Sequence, residues 1–147
     1  MKKGRIWRNL GSLIMGIFIT IILIEFHITP KKICNYTDVI SGVLSMTSIS
    51  TSFIFASFTL IPALPNSKLM KSLKELGTDK KLLDRLLLTM IGFFICSIIA
   101  LIGLTFDKDS NTILSLTIVS LVGGTLGFSL SEEFKVFRIL IKGVEIM

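Results

Sequence analysis

Histidine occurs once in this chain of 147 residues, cysteine twice and proline three times, and charged side chains make up only 18%. Each scarcity excludes something. With His27 alone, there is no His/Cys/Asp cluster at metal-ligand spacing, so no metal site is expected. Cys34 falls in a connecting stretch and Cys96 in the middle of an apolar run, so a disulfide between them is not expected. No glycine-rich phosphate loop and no nucleophile constellation is present, so neither catalysis nor a cofactor is expected. A soluble chain dresses its core with roughly 25% charge. This one falls short, and what charge it has lies almost wholly between the apolar runs rather than within them.

What is present is apolar. Hydrophobic residues make up 51% of the chain and the mean hydropathy is +0.79. From Val39 to Ser67 there is not one charged side chain. A bilayer core about 30 Å thick needs roughly 20 apolar residues of helix, and four runs meet that length. The sequence therefore predicts an all-α, polytopic membrane protein forming a single domain. Its expected spans are about 6–28, 39–64, 82–106 and 112–130. Met1-Lys2-Lys3-Gly4-Arg5 ahead of an apolar run resembles the start of a signal peptide. No small-x-small cleavage site follows, so the run reads as a retained first span, with Trp7 at headgroup level. Pro30 stops that span, and Pro62 and Pro65 stop the second. Gly77 suits a helix C′ position, and Thr78 or Asp79 can cap the next helix.

Orientation follows from the basic residues. Of the 16, all but Lys31, Lys32 and Lys108 lie in the N-terminus, the basic loop 66–81 with the adjoining Arg85, or the tail 131–147. The positive-inside rule then places both termini and the central loop in the cytoplasm of a bacterial plasma membrane, with the bilayer as first partner. The net charge of +6 has that explanation first and nucleic-acid binding second.

The second run is rich in hydroxyls. At about 100° per residue, Ser41, Ser45, Ser48, Ser52 and Thr59 fall on one stripe, with Phe55 on its edge. Two readings stand side by side: a pore lining with Phe55 as a dewetting constriction, or close helix packing with hydroxyls bonded back to their own helix. Glu25, near the outer end of the first span with His27 two residues on, reads as an interfacial carboxylate, as the mouth of an oligomeric pore, or as half of a proton sensor. Gly123, Gly124 and Gly127 form a small face suited to tight helix contact, as do Gly92, Cys96, Ala100 and Gly103 on the third span. Lys68, Lys71, Lys74, Lys80, Lys81 and Arg85 either rest on anionic lipid or bind an acidic ligand, a cytoplasmic partner protein or something nucleic-acid-like. In the tail, Phe134, Phe137, Ile141 and Val144 recur as an apolar stripe that suits self-association or a surface-lying helix.

The basic N-terminus, the four runs, the stretch Ser48-Ile49-Ser50-Thr51-Ser52-Phe53-Ile54-Phe55-Ala56 and the passage Leu73-Lys74-Glu75-Leu76-Gly77 into the third span resemble small membrane proteins of bacterial antiphage systems. Over residues 40 to 105 the chain looks most like the channel effectors of Hailong-type defence, and next like the four-span membrane component of Kiwa-type defence. The resemblance implies a homo-oligomer, a tetramer, held closed by a cytoplasmic nucleic-acid-like ligand or partner until opening dissipates the membrane potential. The expected function is thus a channel or pore-forming effector. The alternatives are a non-conducting sensor or scaffold that recruits a cytoplasmic partner, and then a holin or a bacteriocin-immunity protein.

Overall fold

The computed structural model describes residues 3–63, 77 and 79–145. Four long helices account for most of them: α1 (Lys3–Glu25), α2 (Tyr36–Ala63), α3 (Asp79–Gly103) and α4 (Ile113–Glu145), with a short 3₁₀ turn at Pro30–Lys32. No strand occurs among the described residues. Three helices contain stretches long and apolar enough to cross a membrane: Tyr36–Leu60, Lys80–Gly103 and Ile113–Lys142. The apolar part of α1, Leu10–Glu25, is shorter.

The helix ends differ from the expected boundaries for identifiable reasons. α1 stops at Glu25 because His27 adopts the left-handed conformation (φ 47°). The Ile28 N–H then donates to the Leu23 carbonyl (3.0 Å) and the His27 N–H to that of Ile24 (2.9 Å), a Schellman closure normally built on glycine. The Lys32 ammonium adds a hydrogen bond to the Phe26 carbonyl (3.0 Å). Glu25 is therefore the last helical residue, not one a turn inside the span. α2 starts at Tyr36 rather than Val39, α3 ends at Gly103 rather than Phe106, and Pro62 sits within the last turn of α2. α4 opens on a reciprocal cap, in which the Thr112 N–H donates to Ser115 Oγ and the Ser115 N–H to Thr112 Oγ1, each at 3.2 Å. It then runs through residues 130 and 131 without interruption. Neither glycine nor proline occurs from 128 to 142, so nothing separates the tail from the fourth span. At 1.5 Å per residue, α4 is about 50 Å long.

The helices pack as a bent row in the order α2, α3, α4, α1. One core cluster joins Tyr36 and Ile40 of α2 to Cys96 and Ala100 of α3 and Val119 and Val122 of α4. The other joins Ile54 of α2 to Leu82, Leu86 and Phe93 of α3 and Val136 of α4. Close approach depends on small residues. A Cβ on Gly124 would strike Thr20 Oγ1, and one on Gly16 would lie 2.8 Å from the Gly124 carbonyl, so the α1 and α4 backbones are nearly in contact there. Gly123 and Gly127 meet Leu23 and Ile19 of α1 in the same way, and Gly92 of α3 meets Ser129 and Phe128 of α4. Those faces therefore pack within one chain.

Candidate functional site

α2 stands at one end of the row, so only one of its sides is covered. That side carries Tyr36, Ile40, Thr47 and Ile54, all buried. Two polar contacts fix it to α3. The Ser97 hydroxyl donates to Thr47 Oγ1 (2.8 Å) while Thr47 donates to the Val43 carbonyl (2.9 Å), and the Tyr36 hydroxyl donates to the Gly103 carbonyl (2.7 Å).

The rest of α2 faces outward and divides in two. Ser45, Ser48, Ser52, Phe55 and Thr59 are exposed along one strip, with Ser41 partly covered at its start. Met46, Ile49, Phe53 and Leu60 are exposed along another, about 100° further around the helix. Hydroxyls and large apolar side chains are thus segregated on the uncovered surface. Several of the hydroxyls bond within the helix, Ser52 to the Ser48 carbonyl (3.0 Å) and Thr59 to that of Ala56 (2.9 Å). Such bonds satisfy the hydroxyl proton and leave the oxygen lone pairs facing out. Phe55 borders a shallow groove with Met90, Ile91 and Phe94 of α3.

The second polar feature is a charged cluster where α3, α4 and α1 meet. Glu132 is fully buried, at 0% exposure. One of its oxygens accepts from Arg85 of α3 and the other from Lys135, each at 2.7 Å. Lys135 also donates to Ser12 of α1, whose hydroxyl lies 3.0 Å from that of Ser131. One carboxylate therefore ties three helices together. Among the described residues no buried polar side-chain atom lacks a hydrogen-bond partner. A burial of this kind is stable only when both carboxylate oxygens are satisfied, as they are here.

The remaining expected positions fall into three groups. Arg85, grouped by its sequence position with the ligand-binding cations, donates from its guanidinium to Glu132, and its side chain is only 13% exposed. Lys80 and Lys81 are exposed at the start of α3. Lys68, Lys71 and Lys74 lie outside the described residues. Glu25 and His27 are exposed at the end of α1. Both cysteines are free, Cys34 exposed and Cys96 buried. Among the described residues no group of three His, Cys, Asp or Glu side chains is placed to hold a metal ion. Sequence reasoning missed the Glu132 cluster. The available signal was the spacing of Glu132 to Lys135, three residues apart on the face that also carries Gly124 and Phe128.

No protein-family model matches the chain, and neither a curated protein nor a solved structure matches it.

Proposed function

We propose that the chain is an integral membrane protein with both termini cytoplasmic, and that copies assemble with the hydroxyl strip of α2 lining an ion-conducting pore. The observation that carries this reading is the segregation on the uncovered surface of α2. A helix facing lipid all round has no use for a separate hydroxyl strip, since lipid rewards only the apolar one. A contact between copies or a water-filled pore would each use such a strip, and we favour water because the oxygens lie beside one constricting phenyl ring, Phe55. The belt of exposed large side chains on α1, α3 and α4, among them Ile14, Phe18, Phe94, Leu101 and Leu114, supports the membrane setting. A soluble monomer rarely shows so much contiguous apolar surface. The antiphage role, in which opening dissipates the membrane potential of an infected bacterium, rests on the resemblance of residues 40 to 105.

The test is conductance across a planar bilayer containing the purified chain, alongside membrane potential in cells expressing it. The expected outcome is current that Ser48→Trp blocks and Phe55→Ala increases. Absence of current with wild type and Phe55→Ala alike, from protein shown to be inserted, would contradict the pore. That result would favour the sensor or scaffold reading, for which the exposed Arg138 and Lys142 and the apolar Phe134, Phe137 and Ile141 offer a docking face.

A further inference from the structure

The seam between α1 and α4 runs from an apolar groove into a row of cations, and we propose that it binds an anionic phospholipid, with the phosphate on the cations and an acyl chain in the groove. The inference rests on the membrane reading above and adds a site to it.

The groove has a volume of about 260 Å³ and is walled by Leu13, Ile17 and Thr20 of α1 and Leu121, Gly124 and Phe128 of α4. Gly16 and Gly124 bring the two backbones together beneath it. Its hydroxyls are turned away: Thr20 donates to the Gly16 carbonyl (3.0 Å) and Thr125 to that of Leu121 (2.7 Å). The groove thus offers hydrocarbon to hydrocarbon and has no donor for a polar ligand.

Where the groove ends, cations begin. α1 proceeds from Ser12 into the groove, and α4 leaves it toward Ser131, so the Ser12–Ser131 contact marks one end. Beyond it on α4 come Lys135, Arg138 and Lys142, at spacings of three and four residues, which keep them on one side of the helix. Lys135 is 29% exposed despite its bond to Glu132, and Arg138 and Lys142 are exposed outright. Arg85 and Lys135 together carry +2 against −1 on Glu132, so the cluster holds a net positive charge even before Arg138 and Lys142 are counted. Glu133 lines a different groove, with Leu86 of α3 and Ile54 of α2, and even with Asp84 and Glu133 counted beside Glu132 the four cations Arg85, Lys135, Arg138 and Lys142 exceed the three carboxylates by one. The order of parts, cations at the cytoplasmic end and hydrocarbon toward the membrane interior, is that of a phospholipid in the cytoplasmic leaflet. Basic pockets between spans on that side are known to take lipid phosphates. Free phosphate or an acidic peptide would use the cations and leave the groove empty.

The full chain would be reconstituted in vesicles of phosphatidylcholine with and without phosphatidylglycerol, extracted into detergent, and the lipids retained on it weighed by native mass spectrometry. We expect phosphatidylglycerol to be retained over phosphatidylcholine. Arg138→Gln with Lys142→Gln, both at exposed positions, should weaken that retention by roughly 25-fold, about five-fold for each basic residue removed. Ile17→Trp, which fills the groove without touching the charge, should expel both lipids while helicity is unchanged. Equal retention of the two lipids by wild type overturns the site, as does full displacement of phosphatidylglycerol by inorganic phosphate, since the groove would then be idle. A chain that never enters either vesicle contradicts the membrane reading itself. One that inserts but shows no lipid preference contradicts only this site.

Discussion

Substituting Glu132→Gln asks what the buried carboxylate contributes. The side chain has 0% exposure and both oxygens are engaged, one by Arg85 and one by Lys135, each at 2.7 Å. Glutamine preserves the shape and one acceptor oxygen but leaves two cations facing no negative charge. Removing one partner of a buried ion pair costs about 3–5 kcal/mol, because the survivor stays desolvated and uncompensated. Arg85 and Lys135 are 13% and 29% exposed, so each has a path to water. That relief places the expected loss at the lower end, about 3 kcal/mol. Replacing the whole group with Glu132→Leu, Arg85→Met and Lys135→Met removes the need for compensation. The triple variant should match the wild type within about 1 kcal/mol or exceed it. Equilibrium unfolding of the purified chain in mixed micelles, followed by helicity, measures both. A Glu132→Gln variant within about 0.5 kcal/mol of wild type, or a triple variant as unstable as the single one, would refute the reasoning.

Three further outcomes follow from the packing. Gly124→Leu should displace α1, since even a Cβ at that position strikes Thr20 and approaches the Gly16 carbonyl. The cost should reach or exceed the roughly 1–3 kcal/mol of an overpacked core, read as faster proteolysis between α1 and α2. Tyr36→Phe should lose the 2.7 Å hydrogen bond to the Gly103 carbonyl and about 1 kcal/mol of stability in the same unfolding assay. His27→Gly relieves the left-handed backbone at φ 47° at some entropic cost. It should leave stability equal or raise it by up to about 1 kcal/mol, whereas His27→Val should lower it.

Much of the helical layout was legible because apolar runs report directly on where a helix can persist. The small faces on α3 and α4 are the faces that pack, whereas Pro30 lies five residues past the end of α1 and Pro62 within the last turn of α2, so neither proline sets its helix end. Other features depended on geometry that periodicity cannot carry. That His27 rather than glycine closes α1 required one residue to accept a conformation usually avoided, and no composition rule announces it. The continuation of α4 past residue 130 was obscured because a change from apolar to amphipathic sequence looks like a boundary, although no breaker is present. The Glu132 cluster was least legible. Glu132 and Glu133 are neighbours of identical chemistry, and only the placement of α1 and α3 on either side of α4 turns one of them inward toward Arg85 and Lys135. For the same reason the pairing of Arg85 with Glu132 was not legible. The hydroxyl strip was visible at helical spacing, but that it lies on the uncovered side of α2 depended on the helix order in the row.

The central claim, that the hydroxyl strip of α2 faces water while its apolar strip faces lipid, is most directly tested by cysteine reactivity in intact membranes. Single cysteines would replace Ser45, Ser48, Ser52, Ile49, Phe53 and Thr47 in a Cys34→Ser background, where the remaining Cys96 is buried, and would be challenged with a charged, membrane-impermeant thiol reagent. The account predicts modification at 45, 48 and 52 and protection at 47, 49 and 53. Reactivity at 48 and 52 no greater than at 49 and 53 would contradict it.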